Sequence, residues 1–136
     1  MCTLEECKAD IGLLWLRLFT GLGIATHGYG KVFGGHMDKM VEGVAAMGFP
    51  APGFFAWAAA LSEFAGGILL ALGLFTCPAA LFIFITMAVA VFIKHGGDPL
   101  KVKELALAYL VASGAIKLLG PGKFSLDNII KFRRKK

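Results

Sequence analysis

Charge is what this chain has least of. From Gly43 to Ile93 it holds one charged residue, Glu63. A soluble domain is typically about a quarter charged; here the share is 17%, against 57% hydrophobic residues. That scarcity excludes a soluble four-helix bundle, whose helices need a polar outer face, because the stretch from Pro78 to Ile93 offers none. Cysteine is scarce too. Cys2, Cys7 and Cys77 make no metal-binding spacing, and no HExxH or paired CxxC motif accompanies them. Glu5, Glu6 and Asp10 stand where a signal peptide would carry basic residues, so the first apolar helix is expected to serve as an uncleaved insertion signal.

What is present reads as an all-α integral membrane four-helix bundle, a single domain over residues 1–136. Four apolar stretches lie at about 11–33, 53–75, 78–93 and 103–119, each a candidate span. The last two are short, roughly 24 Å for 16 residues. The Thr76-Cys77-Pro78 corner leaves room only for an antiparallel hairpin, with Pro78 in the first turn of its helix. Between the first two spans, Met37, Met40, Val41, Val44 and Ala45 recur at helical spacing while Asp38, Lys39 and Glu42 face away. This predicts a short amphipathic helix lying in the interface, ended by Gly48 and the Pro50-Ala51-Pro52 breaker. After the Gly120-Pro121-Gly122 turn, Ser125 has the place of a helix N-cap.

The net charge of +5 is concentrated at one end: five of the 14 basic residues lie in 131–136, within a basic tail over 123–136. Such a block beside a span is a cytoplasmic contact with anionic lipid, worth about 1 kcal/mol per basic residue; it does not indicate nucleic acid. Four spans place both termini and the Cys77 corner on one side, and the basic tail makes that side the cytoplasm.

Glu63 lies about 15 Å into its helix. Arg17 enters from the other face, and the spacing predicts an Arg17–Glu63 ion pair inside the bundle, either pinning two helices or serving function. Gly21, Gly28, Gly66 and Gly67 share the faces of these two residues, so small side chains let the helices approach there. A second group gathers at the opposite ends of the helices: His27, Lys31, His36, Lys94, His95, Asp98 and Glu104. They are interfacial residues, or else His27, Lys31 and Glu104 line a vestibule leading to Glu63. No facing-histidine pattern supports a metal or haem. Tyr109, placed mid-membrane, needs a partner for its hydroxyl; Glu63 and a bound quinone carbonyl are both within its reach.

These features resemble the DoxX family of small four-helix bacterial and archaeal membrane proteins. The resemblance rests on Arg17, on HGYGKVF from His27 to Phe33 and on E-x-x-G-G-x-x-L-x-x-G from Glu63 to Gly73. It extends through Glu104-Leu105-Ala106-Leu107 with Tyr109 and through GPGKFSLD from Gly120 to Asp127. One departure stands out: Thr76-Cys77 replaces the family's usual Thr-Arg pair. The resemblance implies association with membrane oxidoreductase systems of sulfur and thiol chemistry, such as the DoxD-type subunit of thiosulfate:quinone oxidoreductase.

The sequence has no flavin, nicotinamide or iron–sulfur motif, and no catalytic residue is assigned. Three functions remain open. The chain is a quinone-interacting or anchoring subunit of an oxidoreductase, with Arg17, Glu63, His27, Lys31, Glu104 and Tyr109 as ligand or ion-pair candidates; a carrier or channel relaying protons or ions through Glu63; or a scaffold that recruits a soluble enzyme by its basic tail. The ligand would be a quinone or lipid. The partners are the bilayer, a redox enzyme and further copies of the chain, in a prokaryotic cytoplasmic membrane. In this orientation a membrane-impermeant thiol reagent leaves Cys77 unmodified in intact cells; ready labelling would reverse the topology.

Overall fold

The structure is a computed structural model and describes residues 3–134. Six α-helices run α1 (Leu4–Phe33), α2 (Met37–Ala46), α3 (Pro52–Leu72), α4 (Thr76–Val89), α5 (Leu100–Leu119) and α6 (Leu126–Arg134), with a π-helical turn at Ala90–Lys94 continuing α4. No strand occurs among the described residues. Helices α1, α3, α4 and α5 form the bundle, around a core that includes Leu13, Ile24, Leu70, Ile83 and Ile116. This is the expected all-α membrane bundle.

Helix α1 begins at Leu4, seven residues before the apolar stretch, because Thr3 and Glu6 close a reciprocal capping box: Glu6 N donates to Thr3 Oγ1 at 3.3 Å and Thr3 N to Glu6 Oε2 at 3.0 Å. The third span is longer than its apolar core suggested. Thr76–Lys94 is 19 residues, about 28 Å, so no thinned bilayer is needed. Among the described residues, three helices are long and apolar enough to cross a membrane: Leu4–Phe33, Pro52–Leu72 and Thr76–Lys94. Helix α5 has the length, 20 residues, but carries Lys101, Lys103, Glu104 and Lys117 near its ends.

The closest packing is between α1 and α3, which run antiparallel. A Cβ on Gly67 would lie 2.6 Å from the Gly21 carbonyl oxygen and 2.8 Å from Ala25 N; one on Gly28 would collide with the Phe64 backbone. Gly21, Gly28 and Gly67 thus meet the facing helix backbone to backbone as expected, whereas Gly66 faces Ile83 of α4.

The described ends of the chain lie together, with the α3–α4 corner beside them. Gly73 takes φ +69 to end α3, and its carbonyl accepts from Asp127 N at 2.9 Å. Ser125 caps α6, accepting from Asn128 N at 3.2 Å. Asp127 does not cap its own helix: its two oxygens accept from Phe75 N and Thr76 N, each at 2.8 Å, and so cap α4. Lys123 N donates to Asp10 Oδ1 at 3.1 Å, joining this segment to α1. Lys135 and Lys136 of the basic tail, and Cys2, lie outside the described residues.

The glycine contact yields a contrast. Gly67→Val should destabilise the protein by about 1–3 kcal/mol by overpacking, whereas Gly30→Ala, where an added Cβ meets nothing within 4 Å, should be neutral or stabilising. Thermal unfolding in detergent measures both.

Candidate functional site

The helix register decides which charges meet. With Gly28 against Phe64 and Gly21 against Gly67, Lys31 falls beside Glu63, and Lys31 Nζ donates to both carboxylate oxygens at 2.6 Å. Glu63 is 2% exposed; the Lys31 side chain is about one-third exposed. The carboxylate is therefore buried and its partner reaches it from nearer the helix end.

The expected Arg17–Glu63 pair does not form. Arg17 lies opposite Gly73, ten residues from Glu63 along α3, a rise of about 15 Å that no arginine spans. The pairing expectation levelled Ile11 with the end of α3, whereas the structure levels Arg17 with it. Arg17, 1% exposed, instead donates through its two terminal nitrogens to the carbonyl oxygens of Pro121 and Phe124. Among the described residues its Nε has no hydrogen-bond partner. Arg17 thus joins the start of the bundle to the 120–127 segment and is no part of the Glu63 site.

Two cavities flank the Lys31–Glu63 pair, and both are lined by Lys31, Glu63, Ala90 and Lys94. The larger, about 350 Å³, lies among α2, α3 and α4. Its wall is almost wholly apolar, with Met40, Val44, Phe49, Phe55 and Phe82 prominent and the hydroxyls of Ser62 and Thr86 as additional polar groups. Thr86 Oγ1 donates to Phe82 O at 2.9 Å. Helix α2 is amphipathic, as expected, but its apolar face covers this cavity, and Val44 is buried there.

The smaller cavity, about 220 Å³, lies among α1, α5 and the π turn and is lined by His27, His95 and Tyr109 besides the shared residues. Tyr109 packs edge-on to His27 at 6.0 Å between ring centroids. Of the expected vestibule, His27 and Lys31 are present; Glu104 is exposed and lines neither cavity. The π turn closes with His95 N donating to Ala90 O at 2.9 Å; such turns often occur at functional sites. No group of three or more metal-ligating side chains occurs among the described residues.

Sequence reasoning missed the α2 lining, Ser62, Thr86 and the π turn. Hydroxyls at Ser62 and Thr86 on otherwise apolar helices were a usable signal. Nothing in the sequence announces the π turn.

The fold and this buried pair define an integral membrane helical bundle with an internal site that is polar at one point and apolar around it. The DoxX family matches residues 12–96, and the chain belongs to it. It is 32% identical over 126 residues to the inner membrane protein YqjF of Escherichia coli K12, covering 89% of this chain and 93% of that protein. It is 36% identical over 124 residues to the inner membrane protein YphA of the same organism, covering 85% of this chain and 87% of that one. No solved structure matches it. Arg17, Lys31 and Glu63 fall inside the family match; Glu104, Tyr109 and Gly120–Asp127 fall outside it.

The pair predicts an asymmetry. Lys31→Met strands a carboxylate in an apolar interior and should cost about 3–5 kcal/mol. Glu63→Gln frees an ammonium that can turn to water and should cost less. Unfolding midpoints of both variants in detergent test this ordering.

Proposed function

We propose that this DoxX-family protein acts in a prokaryotic cytoplasmic membrane as a quinone-holding or anchoring subunit of a membrane redox system, with its termini in the cytoplasm. The observation that carries the reading is the larger cavity: about 350 Å³, apolar, with the Lys31–Glu63 pair at one end. Ligand sites commonly have about 300–1,000 Å³, apolar walls and a few convergent polar groups. A quinone is a flat apolar ring with two carbonyl acceptors. The Lys31 ammonium can donate to one carbonyl, and in the reduced molecule a ring hydroxyl can donate to Glu63. Electrons would come from a partner protein, and the basic tail offers that partner an anchoring surface. The inner membrane location of YqjF and YphA supports the compartment.

A second reading rests on a separate observation. The two cavities meet at one buried carboxylate, the arrangement a proton relay needs, with Glu63 exchanging Lys31 for a proton carrier.

Quinone content of the purified protein, measured by solvent extraction and mass spectrometry, separates these readings. Quinone near one per chain is expected, and Ala59→Phe, which fills the cavity, should remove it. Equal traces in both proteins would end the quinone reading, while proton flux in proteoliposomes abolished by Glu63→Gln would establish the relay.

A further inference from the structure

The smaller cavity shares the charged residues Lys31, Lys94 and Glu63 with its neighbour but adds His27, His95 and Tyr109 in place of an apolar wall. Its lining holds two ammonium groups, Lys31 and Lys94, against one carboxylate, Glu63. That carboxylate is already engaged at both oxygens by Lys31. Asp98, the nearest other acid along the chain, is bound to His95 Nδ1 at 2.7 Å and does not line the cavity. Lys94 therefore borders the cavity with no carboxylate of the lining left to offset its charge.

Tyr109 supplies an independent observation. It is half-buried, its hydroxyl presses against Gly23, and among the described residues that hydroxyl makes no hydrogen bond. A tyrosine hydroxyl ordinarily finds a partner where it is withdrawn from water, and Tyr109 is one of the residues that line this cavity. His27, exposed on α1 and edge-on to Tyr109, adds a further ring nitrogen.

We propose that this cavity is a binding site for an anionic phosphate group, carried by a small phosphorylated solute or by an acidic lipid headgroup. Lys94 supplies the opposing charge, and Tyr109 and His27 supply hydrogen bonds. The three groups come from the π turn, α5 and α1 and line one cavity, an arrangement better suited to a tetrahedral group, whose oxygens face several ways, than to a planar carboxylate. Charge-assisted hydrogen bonds of this kind are about twice as strong as neutral ones. At about 220 Å³ the space admits a phosphate with a short substituent, and exposed Lys94 and His27 leave it open at the helix ends, where headgroups lie. The site adjoins the apolar cavity, sharing Lys31, Glu63, Ala90 and Lys94 with it, and does not require the quinone reading.

The test uses the full chain in nanodiscs of phosphatidylcholine alone. One arm titrates inorganic phosphate and follows the melting temperature. The other compares discs that also contain phosphatidylglycerol and counts the phosphatidylglycerol retained after transfer to detergent. A saturable response in at least one arm is expected, weakened about tenfold by Lys94→Gln and about threefold or more by Tyr109→Phe. Glu104→Gln, outside both cavities, should change neither arm. A response to phosphate alone assigns a soluble ligand; a response to phosphatidylglycerol alone assigns a headgroup. Binding that is absent in both arms, or is the same in wild type and Lys94→Gln when the variant's unliganded melting temperature is normal, overturns the proposal.

Discussion

The contact of α1 with α3, backbone against backbone at Gly21, Gly67 and Gly28, sets the positions of the other parts. In lipid the hydrophobic effect gives helices no reason to associate, so close approach and dispersion must hold them. A contact so tight also fixes height, since a slip by one turn would drive side chains into the opposing backbone. With that height fixed, Lys31 meets Glu63, Arg17 meets Gly73, and Arg17 and Glu63 are kept apart.

The outcome is a division of labour along the bundle. At the end that holds the α3–α4 corner, polar side chains are consumed by structure: Arg17 on two carbonyls, Asp127 on the first amides of α4, Ser125 on its own helix. At the other end, polar groups converge on space: a salt-bridged carboxylate between two cavities, with the π turn forming part of the wall of each. Pairing is incomplete even at the corner end, where Arg17 Nε and Thr76 Oγ1 lack a partner among the described residues; the difference lies in the cavities that open beside Glu63.

Much of this was legible in the residues. A lone carboxylate in an apolar run marked Glu63, the alternation of Met40 and Val44 with charges marked α2, and glycine spacing marked the tight helix faces. Pairing was not legible. Arg17 and Lys31 are both cations on α1, and choosing between them needs the axial offset of two helices, which depends on where α1 starts and which glycines meet. The partners of Arg17 were hidden for another reason: carbonyl oxygens exist at every residue, so no side chain announces Pro121 or Phe124. The cavities were invisible because a void is a property of several helices together, and α2 could be read as amphipathic without revealing what its apolar face covers.

The bond from Arg17 to the 120–127 segment has a consequence for how the chain is made. A guanidinium within a span is costly until its donors are satisfied, and here the acceptors lie 104 and 107 residues further along the chain. During synthesis the first helix enters the membrane long before they emerge. Until then the guanidinium can be satisfied only by other acceptors, such as water or lipid phosphate. The bond that joins the first helix to the 120–127 segment can therefore form only after nearly the whole chain has been made.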